Sequence, residues 1–398
     1  MSRPVDTWLL PEGVADVLPA EAVRLEAMRR RLLDRFAASG YQLVFPPLME
    51  YLDSLLTGSG HDLDLMTFKI TDQLTGRMMG VRADITPQVA RLDAHSLPVD
   101  GPARYCYAGT TLNTRPAALA ASRCPVQIGA ELYGYAGVAG DIEVLRLMLD
   151  MLAISGCGVA GCENIQLDLG HVTIFRELAR LAGIAGADEA ALFDIFQRKA
   201  VADLREFLDA RTVSPELALK LEGLLKLAGD KSVLLAAGKL LAGLSPQIDE
   251  ALTALNTVAQ AVAASHARVS LYFDLTELRG YHYHTGLVFA AYAPGARAEL
   301  AKGGRYDSVG EAFGRARPAT GFSADLKSLL DFYRADEGVA AIFAPAGEDS
   351  ALLTAIAELR AAGECVVQAL PADGSTAASL ACTRELRLDN GQWIVTTL

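Results

Sequence analysis

The chain has 398 residues, of which 51% are hydrophobic and 21% are charged, so it is long enough for two or three domains with a large core. Lys and Arg number 36 against 48 Asp and Glu, which gives a formal net charge of −12. This acidic balance argues against a protein whose main task is to bind nucleic acid, because binding the phosphates requires many cations.

The sequence also argues against membrane and metal classes. The first residues contain Pro and Asp without a long apolar run, so we expect no signal peptide. No stretch of about twenty apolar residues occurs, so we expect no membrane span and a cytoplasmic protein. The six cysteines are scattered, and the one close pair, Cys157 and Cys162, lacks a second pair; we therefore expect neither a disulfide framework nor a bound metal.

The first third of the chain mixes helices and short strands. Apolar positions at helical spacing predict an amphipathic helix over 20–39 that stops before Gly40. A short strand follows, interrupted by Pro46 and Pro47. The pattern then predicts strands at 77–82 and 103–113, with a helix over 87–95 between them.

The segment 126–135 (VQIGAELYGY) alternates between apolar and polar residues. Val126 and Ile128 begin an apolar row, while Gln127 and Glu131 belong to a row that points the other way. Period two predicts a strand with one apolar and one polar face. The polar row could face bulk solvent or line a pocket, and the alternation alone leaves both open.

The middle of the chain predicts a helix over 139–155 and a strand over 164–170. The following region, about 172–265, is rich in Ala and Leu and is predicted to be a helical insertion. Strands resume at 267–278 and 284–293, and we predict a helix over 321–334. This order of elements favours an α+β fold with an antiparallel sheet over a βαβ series.

The pattern of predicted helices and strands changes after Gly338. The segments up to residue 398 predict a β-α-β-α-β order, with the second helix over 375–386, and so a small parallel α/β domain over 338–398. We place the larger domain at 1–330.

Two segments combine Arg, Gly and Tyr, and we interpret both as loops: 278–286 (LRGYHYHTG) and 302–307 (KGGRYD). Glycines let the backbone approach a ligand closely, and an arginine beside them can hold a carboxylate or phosphate through two parallel hydrogen bonds. Taken alone, His282 and His284 could instead be packed strand residues, or a metal pair without a carboxylate or Cys partner.

These two segments resemble the signature motifs of the histidyl-tRNA synthetase family. The segment around Pro47 resembles motif 1 of the class II synthetases, 82–91 the family's Arg-Pro-Glu-Gly-Thr segment, and 127–134 the strand that follows motif 2. The resemblance covers roughly residues 8–330 and is closer still to the paralogous regulatory subunits of ATP phosphoribosyltransferase. It implies a class II synthetase-like antiparallel sheet flanked by helices.

The sequence departs from an active synthetase at the ATP-binding positions. Motif 2 should carry an arginine and a glutamate where this chain has Asn113 and Arg115, and the motif 3 arginine is Ser328. Losing one donor aimed at transition-state charge typically costs about 10²–10³ in rate. The resemblance therefore implies that the chain has no catalytic residue and no cofactor of its own. The tail is also shorter and poorer in cations than the family's anticodon-binding domain.

The amino-acid pocket of the family, by contrast, is largely kept. The residues that the resemblance assigns to histidine binding are Asp84, Thr86, Gln127, Glu131, Arg279, Tyr283, His284 and Tyr306. Arg279 would hold the α-carboxylate, and Glu131 would accept from one imidazole N–H. Asp84 replaces a glutamate and His284 replaces a tyrosine of the synthetases.

The resemblance implies a non-catalytic subunit that works with the short-form ATP phosphoribosyltransferase catalytic subunit, at the first step of histidine biosynthesis. L-Histidine would be the feedback effector, and a homodimer core formed through motif 1 would sit within a hetero-octamer. Two alternatives remain open: a histidyl-tRNA synthetase-like or related ATP-dependent ligase, and an activating scaffold that does not sense histidine.

Overall fold

The computed structural model describes residues 8–57, 61–97, 99–116, 121–157, 164–278, 280–281, 283–334, 340–372 and 374–398. The chain divides into two units, Met1–Arg334 and Ala335–Leu398. No helix in these ranges is long and apolar enough to cross a membrane.

The first unit is built on strands that form one large and one small sheet. In chain order they are β1 (Gln42–Leu43), β2 (Met49–Tyr51), β3 (Phe68–Thr71), β4 (Met78–Val81), β5 (Ala103–Thr110), β6 (Val126–Tyr133), β7 (Gln166–His171), β8 (Ala228–Gly229), β9 (Ser270–Asp274), β10 (Leu287–Tyr292), β11 (Ala301–Arg305) and β12 (Ala319–Asp325). The large sheet has nine strands in the order β1-β5-β6-β12-β11-β10-β7-β9-β8. The small sheet has the order β2-β4-β3.

Antiparallel pairing runs through the centre of the large sheet, from β5 to β7, as predicted. Parallel pairs occur nearer its edges, between β1 and β5 and between β7 and β9. The second parallel pair requires a long crossover between β7 and β9, and the insertion provides it.

Helices flank these sheets. They are α1 (Pro19–Ala38), α2 (Leu52–Leu56), α3 (His61–Met66), α4 (Thr86–Arg91), α5 (Val138–Ile154), α6 (Val172–Leu181), α7 (Ala187–Gln197), α8 (Val201–Ala210), α9 (Pro215–Leu224), α10 (Ser232–Leu240), α11 (Pro246–Ser265) and α12 (Leu326–Leu329). A π-helical turn, Leu92–Ser96, extends α4, and a 3-10 helix covers Val309–Phe313. The helices α6 to α11 fill the predicted insertion over 172–265, and only the two-residue strand β8 interrupts them.

Helix α1 follows from its sequence pattern and lies against the sheet. Its buried residues are Met28, Leu32 and Phe36, spaced four apart on one face. The ring of Phe36 meets that of Phe322 on β12 edge to face, with centroids 5.9 Å apart. Gly40 ends the helix with φ of +84°, the left-handed conformation that glycine adopts without strain.

The predicted helix over 321–334 is wrong. Residues up to Asp325 belong to strand β12, and only the single turn α12 is helical. The strand pairs along its length with β6 on one side and β11 on the other. This pairing outweighs the local preference of the segment for a helix, which Gly321 already weakens. The Asp325 side chain accepts from Lys327 N at 3.1 Å and so caps the turn that follows.

The interpretation of 302–307 as a loop is also wrong, because Lys302 to Arg305 lie in strand β11. The glycines serve close strand packing there. A Cβ atom at Gly303 would lie 2.1 Å from the carbonyl oxygen of Gly321 on the neighbouring strand. The segment 278–286, in contrast, is a connection between β9 and β10, as predicted.

The second unit contains the strands β13 (Ile342–Ala344), β14 (Val366–Gln368), β15 (Arg384–Asp389) and β16 (Gln392–Thr397), with helix α13 (Ser350–Ala361). The sheet order is β14-β13-β15-β16; β13 is parallel to both its neighbours, and β16 is antiparallel to β15. The prediction of a parallel sheet is therefore wrong for the last strand.

The predicted second helix over 375–386 is wrong, because its last residues begin β15. Asn390 and Gly391 connect β15 to β16 with φ of 47° and 81°, which are the left-handed values of a two-residue hairpin turn. The pair Asn-Gly is the strongest short hairpin signal in a sequence, and it fixes the last two strands as a hairpin.

Candidate ligand-binding site

A cavity of about 680 Å³ is lined by residues of the central strands β6, β10, β11 and β12. Six of the eight predicted histidine-binding residues are among the lining residues: Asp84, Thr86, Glu131, Tyr283, His284 and Tyr306. An apolar portion of the lining comes from Leu63, Met66, Phe193, Val288 and Phe289. The combination of apolar walls and a few convergent polar groups is typical of a small-molecule site.

Glu131 is the most buried polar group of the cavity, with 1% of its surface exposed. Its Oε1 accepts from Tyr107 OH at 3.0 Å and from Thr86 Oγ1 at 3.1 Å. Its Oε2 accepts from Tyr306 OH. Glu131, a member of the polar row of 126–135, therefore faces a cavity and not bulk solvent.

Two glycines make room for this carboxyl group and its donors. Gly321 pairs with Glu131 across the sheet, and a Cβ atom there would lie 1.5 Å from Oε2. Gly129 pairs with Tyr107, and a Cβ atom there would lie 2.4 Å from the tyrosine hydroxyl. The glycines are therefore required by contact, because no other residue leaves space at these positions.

Burial sets the protonation state of Glu131. Removal from water raises the pKa of its carboxyl group to about 8, although the hydrogen bonds from Tyr306, Tyr107 and Thr86 oppose that rise. Both protonation states are therefore accessible just above neutral pH. The group can donate a proton in a hydrogen bond in one state and accept one in the other.

Asp84 and Gln127 form a second polar pair beside Glu131. Asp84 Oδ1 accepts from Thr86 N at 3.0 Å and from Gln127 Nε2 at 2.8 Å. Gln127 Oε1 in turn accepts from Ile85 N at 2.8 Å. Gln127 is not among the residues lining the cavity, so it contributes by fixing the carboxylate of Asp84.

Tyr283 brings a polar group into the cavity without satisfying it. Its ring lies against that of Tyr306, with centroids 4.9 Å apart and an interplanar angle of 32°. Its hydroxyl oxygen is buried and has no hydrogen-bond partner in the described part of the chain. His284 contacts the Tyr283 ring edge to face at 5.5 Å. An unpaired buried hydroxyl is costly, and a bound ligand can relieve that cost.

Hydrogen bonds join the two signature segments next to the cavity. Thr285 N donates to Arg305 O at 2.7 Å, and Asp307 N donates to Thr285 Oγ1 at 3.0 Å. The Arg305 guanidinium itself is used inside the protein, in a buried ion pair with Asp141 at 3.0 Å. Tyr283 and Tyr306 are therefore fixed relative to each other by hydrogen bonds between residues that lie close to them in the sequence.

Two residues of the first signature segment, Arg279 and His282, lie outside the described residues, and so does Cys162. The predicted contact between Arg279 and a carboxylate stays a prediction. Within the described ranges, no group of three or more His, Cys, Asp or Glu is arranged to bind a metal ion.

The chain is similar to known proteins over its whole length. A family model of histidyl-tRNA synthetase matches residues 13–329, and a model of the C-terminal domain of ATP phosphoribosyltransferase subunit HisZ matches 339–396. An ATP phosphoribosyltransferase regulatory subunit of Thioalkalivibrio sulfidiphilus is 55% identical, covering 98% of both chains. One of Stutzerimonas stutzeri is 52% identical, covering 99% of both.

The chain belongs to the family of ATP phosphoribosyltransferase regulatory subunits. A solved structure described as an ATP phosphoribosyltransferase regulatory subunit/histidyl-tRNA synthetase from Bacillus halodurans superposes with a TM-score of 0.80 at 26% identity, covering 96% of this chain and 97% of that one. This likeness confirms the predicted synthetase-like fold.

The positions that would bind ATP in a synthetase have other uses in this regulatory subunit. Asn113 is buried and forms an isolated β-bridge with Thr67. Arg115 is exposed and is not among the residues that line the cavity. Ser328 Oγ donates to Asp325 Oδ2 at 3.1 Å.

Several site residues of this regulatory subunit were not identified from its sequence. Tyr107 lies opposite Gly129 on the paired strand. The space left by the glycine could have indicated the position of the Tyr107 side chain, but only if the pairing of the two strands had been known. Phe193 reaches the cavity from the helical insertion, and no local pattern marks it. The helix predicted over 321–334 includes Gly321, and a helix there does not predict the contact between Gly321 and Glu131.

We expect Glu131 to lower the free energy of unfolding as the pH rises from about 5 to about 8. The substitution Glu131→Gln should remove this pH-dependent contribution. Burial raises the pKa of this carboxyl group from the ordinary value of 4.5, which we take for the unfolded chain, to about 8 in the folded protein. Between these values the folded state binds one more proton than the unfolded state, so stability falls as pH rises and levels off above the folded pKa. Denaturant unfolding across this pH range measures the effect.

The other ionisable groups of the regulatory subunit contribute to both curves, so the informative quantity is the difference between wild type and Glu131→Gln. Curves that stay parallel throughout this pH range would contradict a raised pKa at Glu131.

Proposed function

We propose that this chain is a non-catalytic subunit that binds L-histidine in the cavity around Glu131 and so places ATP phosphoribosyltransferase under feedback control. The observation that carries the proposal is the set of polar groups in that cavity. It lies in a chain that is 55% identical to a regulatory subunit over almost its full length.

The chemistry of histidine matches these groups. Glu131 can accept from an imidazole N–H when ionised, and Tyr283 supplies a hydroxyl that still needs a partner. The carboxylate of Asp84 suits the positively charged α-amine, and Arg279 is the proposed partner of the α-carboxylate. Buried groups matched to both imidazole nitrogens reject analogues that lack them by factors of order 10⁴.

The loss of aminoacylation chemistry is the second part of the proposal. Support comes from Asn113 and Ser328, which carry no cation where the family's ATP-binding arginines stand. The charge-assisted hydrogen bonds that such arginines make contribute about 1.5–3 kcal/mol each. We expect no histidine-dependent exchange between ATP and pyrophosphate.

The partner of a regulatory subunit is a catalytic subunit, here of the short form of ATP phosphoribosyltransferase. We propose a hetero-octamer assembled around a homodimer of this chain, in the cytoplasm. Histidine can shift the equilibrium between an active and an inactive conformation of that assembly only by the difference in its binding free energy to the two. This difference is commonly about 1–3 kcal/mol.

An exposed apolar surface supports the homodimer. Leu43, Phe45, Leu48 and Met49 fall within seven residues of the motif 1 segment and are 43%, 74%, 49% and 41% exposed. Large exposed apolar patches mark interaction sites, and we propose that these four side chains form one. Strand β1 in this segment is also the edge of the large sheet.

We expect calorimetric titration to show that the purified chain binds histidine and does not bind ATP. Tyr283→Phe should weaken histidine binding by about tenfold, because it removes a hydrogen bond to the ligand. It should leave the melting temperature of the free protein unchanged or higher, since a buried unpaired hydroxyl is removed.

The matched control is Tyr41→Phe, which removes a buried hydroxyl that donates to Glu143 outside the cavity. It should lower stability and leave histidine affinity unchanged. Pyrophosphate exchange with saturable ATP binding would favour the synthetase-like enzyme. Failure of the chain to bind histidine, alone or with its catalytic partner, would favour the activating scaffold.

We expect Phe45→Glu to convert the homodimer into a monomer, because it places a charge in the middle of the apolar surface. Light scattering after gel filtration should give half the mass of the wild-type protein. Leu219→Glu is the control, since Leu219 is a similarly exposed apolar residue, at 68%, on helix α9 of the insertion. A Phe45→Glu variant that stays dimeric would exclude this surface as the interface.

A further inference from the structure

The first signature segment is packed against the helical insertion through the side chain of Tyr281. This residue is 5% exposed. Its ring meets Phe175 of α6 edge to face at 5.3 Å and lies over Phe193 of α7 at 5.2 Å. Two helices of the insertion therefore enclose a residue of the loop that carries Tyr283 and His284.

Polar contacts hold both ends of Tyr281. Arg176 Nη2 donates to the backbone oxygen of Tyr281 at 2.7 Å, and its guanidinium lies 4.6 Å from the ring centroid. The Tyr281 hydroxyl donates to Glu189 Oε1 on α7. A charged partner makes this hydrogen bond stronger than one between neutral groups.

The far end of the same segment is also tied to the insertion. Val172 N donates to Gly286 O at 3.0 Å, and Thr173 Oγ1 donates to Thr285 O at 3.3 Å. Both residues open helix α6. The signature segment is thus held at two points by the first two helices of the insertion.

Backbone hydrogen bonds to Gly280 join the residue before Tyr281 to the two residues that enter the cavity. Gly280, with φ of +65°, precedes Tyr281, and its carbonyl oxygen accepts from Tyr283 N and from His284 N, each at 2.8 Å. This tight turn couples the position of Tyr281 to that of the two residues that enter the cavity. Phe193 is itself among the lining residues.

We propose that Glu189 and Phe193 of the insertion are positioning residues for the ligand cavity, which hold Tyr281 and thereby fix the first signature segment against the ligand. The inference rests on the proposed histidine site and adds the part of the protein that shapes it. Since coupling is reciprocal, a ligand that needs the segment in this position also stabilises α6 and α7. The insertion then reports whether the cavity is occupied.

The test compares Glu189→Gln with Asp194→Asn in the full-length chain. Both remove one carboxylate from α7, but Asp194 is exposed and pairs with Arg198 at the end of the same helix. Hydrogen exchange of the free proteins should be faster over 280–286 in Glu189→Gln than in wild type, and unchanged in Asp194→Asn. Histidine should slow exchange in α6 and α7 of the wild type and do so less in Glu189→Gln.

Calorimetry supplies the second measurement. Glu189→Gln should bind histidine about three- to tenfold more weakly than wild type, while Asp194→Asn should not differ. Phe193→Ala should also bind more weakly, but this variant removes part of the cavity lining as well. Glu189→Gln replaces one polar side chain by another of the same shape, so it is the variant that keeps the fold if Phe193→Ala loses it.

The outcomes separate this inference from the proposed function. A wild-type chain that does not bind histidine contradicts the proposed function, and the exchange of 280–286 without ligand then decides the role of Glu189. Equal exchange rates over 280–286 in Glu189→Gln and Asp194→Asn would overturn the inference. So would histidine binding that leaves exchange in α6 and α7 unchanged.

Discussion

A carboxyl group in the middle of a β-sheet is stable only if other groups replace the water that it loses. In the first unit this constraint applies to Glu131. Three donors from other parts of the chain, Tyr107, Thr86 and Tyr306, surround its oxygens. The carboxyl group itself fits there only because Gly321 leaves space on the neighbouring strand. The positions of β5, β6, β11 and β12 and of the start of α4 are therefore linked through a single acidic group.

The same constraint gives the cavity its chemical character. Tyrosine hydroxyls can donate to an ionised carboxylate or accept from a protonated one, so the network tolerates either state of Glu131. A ligand with both a donor and an acceptor nitrogen meets groups that can adapt to it. The hydroxyl of Tyr283 stands in contrast, because it has no hydrogen-bond partner among the described residues and is free to bond to a ligand.

Local patterns predicted the elements whose periodicity is strong and missed those that depend on distant partners. The alternation over 126–135 and the helical spacing over 20–39 gave β6 and α1 almost to the residue. The segment from Gly321 was misassigned because its strand character comes from pairing with β6 and β11. Six lining residues came from family positions, whereas Phe193 lies on an insertion helix whose packing no short window encodes.

The parallel pairing of β7 with β9 has a consequence for how the protein can vary. The chain leaves β7 after His171 and must reach the start of its parallel neighbour β9 at Ser270, so a connection that travels the length of a strand is obligatory. Helix α11, with 20 residues, spans about 30 Å and is long enough for that return. The stretch from α7 to α10, which includes the two-residue edge strand β8, is then an excursion whose size the pairing of β7 with β9 does not dictate. Relatives that lengthen or shorten this excursion would keep the same sheet and yet present a different wall to the ligand.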